Sequence, residues 1–205
     1  AATLAGCAAP AAQTGTAAPA PRPQQTLFFD VTLIDLETGK QIPDQSVLVE
    51  GTKILKVGRF DSFTAPAEAR VVEAKGKTML PAFTDMHVHL QRAEDLPLYV
   101  AHGVTQVRNM WGAPIHLDWK KRIADGSLLG PSIVTAGPIL DGEKPVHDGS
   151  FIVTSAADAE AAIALHKQAG YDFVKIYSRI DPASYAAIVK AAQAAGMKIV
   201  GHVPR

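Results

Sequence analysis

Residues 85–90 read DMHVHL, inside the longer run LPAFTDMHVHL at positions 80–90. Along a strand, side chains two positions apart leave the same face. His87 and His89 therefore project together, with Asp85 in line behind them, while Met86, Val88 and Leu90 take the other face. Two neutral imidazoles aimed one way near a strand's C-terminal end suit a shared divalent ion such as zinc. The same pair also fits two hydrogen-bonded strand histidines, and the pair alone does not separate these readings.

Outward from this stretch, everything after Pro81 alternates strand and helix. FTDMHVHL reads as a strand, AEDLPLYVAHG as a helix ending at Gly103, VTQVRNM as a strand and IHLDWKKRIADG as a helix. SIVTAG is a third strand, followed by a long loop over roughly 138–150. Ser155 caps the next helix, with Asp158 in the capping-box position and Gly170 at its end. DFVKIY is a fourth strand, Asp181-Pro182 opens a helix that Gly196 closes, and MKIVGHV is a fifth strand. This rhythm predicts parallel β/α units. Five such strands fit an open doubly wound sheet or the first five-eighths of an eight-stranded barrel, which takes roughly 250 residues when complete.

Residues 26–80 follow a different pattern, with short alternating runs punctuated by Thr38-Gly39, Pro43-Asp44, Gly51 and Gly58. This is a small β-sandwich-like module of antiparallel strands, with Val47, Val49, Ile54 and Val57 expected to point inward. Residues 1–25 form a third region. Leu4-Ala5-Gly6-Cys7 resembles the bacterial lipobox, in which a lipoprotein signal peptide is cut before a diacylated cysteine. The Ala/Pro-rich stretch behind it has too little apolar surface to fold and reads as a disordered tether. The expectation is a lipid anchor at Cys7 on the periplasmic or outer-membrane face.

Composition bounds the rest. The chain has 205 residues, 47% hydrophobic and 20% charged, with zero net charge. No global field favours nucleic acid or an anionic surface. A single cysteine excludes an intrachain disulfide, and no apolar run reaches membrane-spanning length.

Two further residues join the histidine pair. In DFVKIY, Phe173, Lys175 and Tyr177 share one face and Val174 and Ile176 the other. A lysine amid apolar neighbours either snorkels to the strand end or stays neutral through burial and nearby positive charge. A neutral lysine can take up carbon dioxide as a carbamate, a carboxylate able to bridge two cations. His202, in KIVGHVPR, again falls at a strand end, where α/β enzymes place their sites.

Together these stretches resemble the amidohydrolase superfamily. LPAFTDMHVHL is similar to its first-strand motif, with Ala82 where glycine is usual. GVTQVRNMWG, FVKIY and GHVP resemble the second, fourth and fifth strands of the imidazolonepropionase-related, Xaa-Pro dipeptidase-like branch, with Asn109 where aspartate is frequent. The match runs from about Leu27 to the end.

The resemblance implies a partial TIM (β/α)8 barrel of about five strands behind a flanking β module. It implies two divalent ions, zinc foremost: His87 and His89 on the more buried one, carboxylated Lys175 bridging, His202 on the more exposed one. It places another ligand histidine and the catalytic aspartate beyond Arg205, so no catalytic acid/base is expected within this chain, which alone should be inactive. Asp85 is expected to support a ligand from behind or to be structural, not to be the catalytic aspartate. The implied reaction is metal-dependent hydrolysis of an amide, dipeptide or cyclic amide through a metal-bridging hydroxide, on a small-molecule or dipeptide substrate, with an oligomer compatible with the resemblance. Competing expectations are a surface lipoprotein that keeps the fold without catalysis and a mononuclear, deaminase-like enzyme. Trp111 and Tyr177, near strand ends, and His147, in the long loop after the third strand, are pocket candidates, with ordinary loop or barrel packing as the alternative for all three. His102 reads as a helix cap, His116 and His166 as solvent-facing helical residues, and positions 120–122 as a solvated helix face.

Overall fold

The computed structural model of the protein describes residues 24–204. Cys7 and nearly all of the expected tether lie outside them. The chain divides at Leu80/Pro81 into two compact units.

The first unit is one five-stranded sheet, where the sequence suggested a sandwich. Its strands are β1 (Gln25–Ile34), β2 (Gln41–Glu50), β3 (Lys53–Arg59), β4 (Arg70–Glu73) and β5 (Thr78–Met79), ordered β3-β2-β1-β4 with β5 also on β1. The hairpins β1–β2 and β2–β3 are antiparallel, but β4 and β5 run parallel to β1. The long β1 serves both partners on one edge because it is bulged. Asp30 sits at φ 58° where the register slips between Phe28 and Val31. Pro43-Asp44, expected as a turn, lies inside β2, with Asp44 also at φ 58°. Val31, Val47 and Ala74 form the unit's small core. Ile54 and Val57, expected inward, are 66% and 49% exposed, because β3 is an edge strand of this single sheet.

The second unit is a mixed α/β structure whose strands all pair in parallel. It runs β6 (Phe83–Val88), α1 (Leu96–Ala101), β7 (Val104–Asn109), α2 (Pro114–Ala124), β8 (Ser132–Thr135), β9 (Leu140–Asp141), β10 (Phe151–Ile152), α3 (Ala156–Ala169), β11 (Phe173–Ile176), α4 (Pro182–Ala194) and β12 (Lys198–Gly201). One sheet is β6-β7-β8 and the other β10-β9-β11-β12. A parallel bridge from Ala136 to Phe173 joins them where β8 ends, so β6, β7, β8, β11 and β12 follow one another in space as in sequence. The short β9 lies within the stretch expected to be loop, and β10 directly follows it.

Local chemistry explains the element ends. Ser155 Oγ accepts from the Asp158 N–H at 3.1 Å. The Asp158 carboxylate reaches back to Thr154, at N–H and hydroxyl, one residue earlier than a capping box requires. Asp181 Oδ1 accepts from the Ala183 and Ser184 N–H groups ahead of Pro182. The helices bury their apolar stripes against the strands' outer faces. Leu96, Trp119, Val88, Val107 and Ile133 form one core, and Ile163, Ile188, Val174 and Ile176 belong to another. Each such side chain contributes about 1.5–3 kcal/mol of burial. On the other face of the strands, Met110, Ala136 and Phe173 pack together.

Two helical histidines expected in solvent are instead buried. His166 lies fully inside, on the stripe Ala159, Ala162, Ile163, His166, and His116 is 5% exposed beside Trp119. Both fall on the apolar spacing of their helices, which outweighs the polarity of imidazole. Positions 120–122 are also less uniform than expected, since Lys120 pairs with Asp172 at 2.6 Å.

Candidate metal centre

His87 lies in β6 and His89 just past its end, with ring centroids 5.4 Å apart. Both are exposed while Val88 and Leu90 are buried, so the alternation read from the sequence holds over residues 87–90, whereas Met86, expected beside Val88 and Leu90, is 53% exposed where the β6–β7 register shifts. Asp85 turns to its own backbone: Oδ1 accepts from the His87 N–H at 3.0 Å. That bond shapes the strand exit.

Lys175 enters from β11 and is 2% exposed. Its Nζ stands 3.3 Å from His202 Nδ1. Among the described residues no carboxylate lies within ion-pair reach of it. Burial, and then the nearby Arg108 guanidinium, push the Lys175 amine below the usual lysine range. Arg108 is itself fixed, with Nε donating to the Met86 carbonyl at 2.7 Å. His202 follows Gly201, whose φ of +150° and close approach to the Ile176 carbonyl leave no room for a Cβ. The His202 N–H then donates to that carbonyl at 3.2 Å, holding the imidazole beside the lysine.

Between the histidine pair and His202 runs a continuous series of rings. His89 meets Trp111 at 5.7 Å between centroids, Trp111 meets His147 at 5.2 Å, His147 meets Tyr177 at 4.8 Å and Tyr177 meets His202 at 4.2 Å. Lys175 Nζ is 5.7 Å from the Tyr177 centroid. All seven residues singled out in the strand-end stretches and the loop thus form one cluster.

The surroundings favour the neutral form of two of the imidazoles, His89 and His202. His89 is pushed below the ordinary histidine value by burial first, then by the positive charge of His87, His147 and Lys175. His202 is lowered by burial, then by Lys175, His87 and His147. Neutral imidazole nitrogen is the form that binds a metal. Among the described residues, no three His, Cys, Asp or Glu side chains stand together in a metal-holding group. The donor set instead passes through an amine. It fits divalent ions in kind, with imidazoles and a buried lysine that no carboxylate pairs among the described residues.

Sequence reasoning missed Asp141. This fully buried carboxylate accepts from the backbone N–H of Gly142 at 3.0 Å, Val146 at 2.9 Å and Arg179 at 2.8 Å. It ties the start of the loop that carries His147 to the segment just after Tyr177. An aspartate opening a loop before glycine is the signal that could have found it.

The second unit is thus a parallel α/β structure that gathers histidines, a buried lysine and aromatic rings at its strand ends. The proteins this chain is similar to lie in the amidohydrolase superfamily. It is 29% identical over 111 residues to an adenine deaminase of Rubrobacter xylanophilus, a match covering 47% of this chain and 18% of that protein. The solved structure of a bottromycin amidohydrolase matches with a TM-score of 0.75 and 28% identity, over 90% of this chain and 40% of that one. A prolidase complexed with N-methylphosphonate-L-proline shares the fold, at TM-score 0.73 and 21% identity, over 88% of this chain and 56% of that one. The chain therefore spans only part of the length of these relatives. No protein-family model matches it.

Proposed function

We propose that the full-length protein hydrolyses a C–N bond of a small molecule: an amide, a dipeptide or a cyclic amide. One observation carries this reading. Lys175, almost wholly buried and without a carboxylate partner, meets His202 at 3.3 Å, on the cluster that also holds His87 and His89. An ammonium ion there would be costly. A neutral amine that adds carbon dioxide, forming an N–C bond and releasing a proton, becomes a carboxylate facing the imidazoles. His87 and His89 would then hold the more buried divalent ion, carboxylated Lys175 would bridge and His202 would hold the more exposed one. When bound, the ions supply Lewis acidity and bring the pKa of water towards neutrality. Trp111, His147 and Tyr177 wall the approach, exclude water and orient the substrate's carbonyl side. The run of adjacent parallel strands supports reading the second unit as the first five strands of a barrel, with the sheet of residues 26–80 as its flanking module.

The likeness to an adenine deaminase favours a deaminase-like second reading; in a mononuclear form of it, one ion would suffice and Lys175 would be structural. A screen of the chelated, full-length protein separates the two. Hydrolysis of dipeptides or cyclic amides restored by zinc only with bicarbonate supports the first reading. Adenine deamination restored by metal alone, without bicarbonate, supports the second. The Leu4–Cys7 tetrad further supports a lipid-anchored, exported protein, tested by mass spectrometry for a diacylated Cys7. Among the described residues no helix is long and apolar enough to cross a membrane.

A further inference from the structure

β6 ends at Val88, so no sheet ladder holds the backbone that carries His89 and Leu90. Two buried polar side chains take its place. Asn109, fully buried at the end of β7, accepts the Leu90 N–H on Oδ1 at 3.1 Å. That bond fixes which end of the amide is which, because a backbone N–H can only donate. Asn109 Nδ2 then faces the Trp111 carbonyl at 3.0 Å, Thr135 Oγ1 at 3.1 Å and His116 Nδ1 at 3.0 Å. His116 Nδ1 also accepts from the Ala113 N–H at 2.9 Å. Its proton therefore sits on Nε2, which donates to the Leu90 carbonyl at 3.0 Å. Both backbone polar groups of Leu90 end on side chains from neighbouring segments. On the other side of His89, the Val88 carbonyl accepts from the Met110 N–H at 2.8 Å. His89 is held between two clamped residues, and its imidazole keeps only side-chain freedom.

The geometry points to Asn109 and His116 as positioning residues that aim His89 at a divalent ion by fixing the Leu90 backbone. This rests on the metal-holding role proposed for the two histidines. It adds two residues that touch neither ion nor substrate and act through the main chain. Partners of this indirect kind change metal affinity by about 10–100-fold.

Zinc affinity of the full chain, measured by chelator competition, tests this without recourse to activity. In His116→Asn the side-chain oxygen replaces Nδ1 but nothing reaches the Leu90 carbonyl. In His116→Gln the amide nitrogen replaces Nε2 and the bond to Leu90 survives. The expected result is zinc affinity weakened about tenfold or more in His116→Asn and within about threefold of wild type in His116→Gln. Wild-type affinity in a folded His116→Asn, or equal losses in both variants, overturns the assignment. A wild-type chain that binds no zinc overturns the metal reading itself, and this inference with it. Should His116→Asn not fold, amide exchange in the wild type decides. Coupling is reciprocal, so saturating zinc must slow exchange of the Leu90 amide, and unchanged exchange refutes the assignment.

Discussion

Replacing His166 with leucine probes how the second unit tolerates a polar ring in its interior. His166 has no exposure, and neither ring nitrogen has a hydrogen-bond partner. The ring lies against Gly137, where a Cβ would come within 2.6 Å of Nε2, and meets Tyr171 edge-on at 5.5 Å. Burial lowers its pKa from 6.5 to about 4. The sign follows from proton counting. Between these two values the unfolded chain binds a proton that the folded one refuses, so stability falls as pH drops from about 6.5 towards about 4, then levels off. From pH 7 to pH 5 this one group removes about 2 kcal/mol. Leucine, of similar bulk, has no proton to bind and no orphaned nitrogen, whose cost is of order 1–3 kcal/mol. Urea unfolding at the two pH values measures both effects. The variant should be at least as stable as wild type near neutrality, and its loss on acidification should be smaller by about 2 kcal/mol. Equal acid sensitivity in the two proteins would refute the reasoning.

Asp141→Asn should destabilise the second unit by about 2–4 kcal/mol, since an amide nitrogen would face a backbone N–H that the carboxylate now accepts. Faster amide exchange at Val146 and a red-shifted Trp111 emission, read in a Trp119→Phe background, check it through the adjacent His147. Gly201→Ala should cost more than about 3 kcal/mol, because the new methyl meets the Ile176 carbonyl at a backbone angle of +150°. Thermal unfolding checks it, and a shift of under a degree would contradict it.

The strand and helix succession after Pro81 was legible because each cue was local. Gly103, Gly170 and Gly196 all take positive φ at helix ends, as their positions suggested. The grouping of His87 with His89, and of Lys175 opposite Val174, was legible from a period of two. The burial of His116 and His166 was readable in principle from helical spacing, but a polar side chain on an apolar stripe invites the opposite reading. The bulge at Asp30 and the parallel pairing of β4 and β5 were not legible, because they depend on which distant strands share an edge. Nor was the double clamp on Leu90, or the three-way bond of Asp141. Each joins segments far apart in sequence through backbone groups that no side-chain pattern reveals.

Metal content per chain in the full-length protein and in Lys175→Ala is the most direct test of the proposed centre. Reconstitution with bicarbonate should give about two divalent ions per wild-type chain, with loss of at least one when the amine is gone. Two ions retained by Lys175→Ala, or one ion in the wild type regardless of bicarbonate, would contradict it.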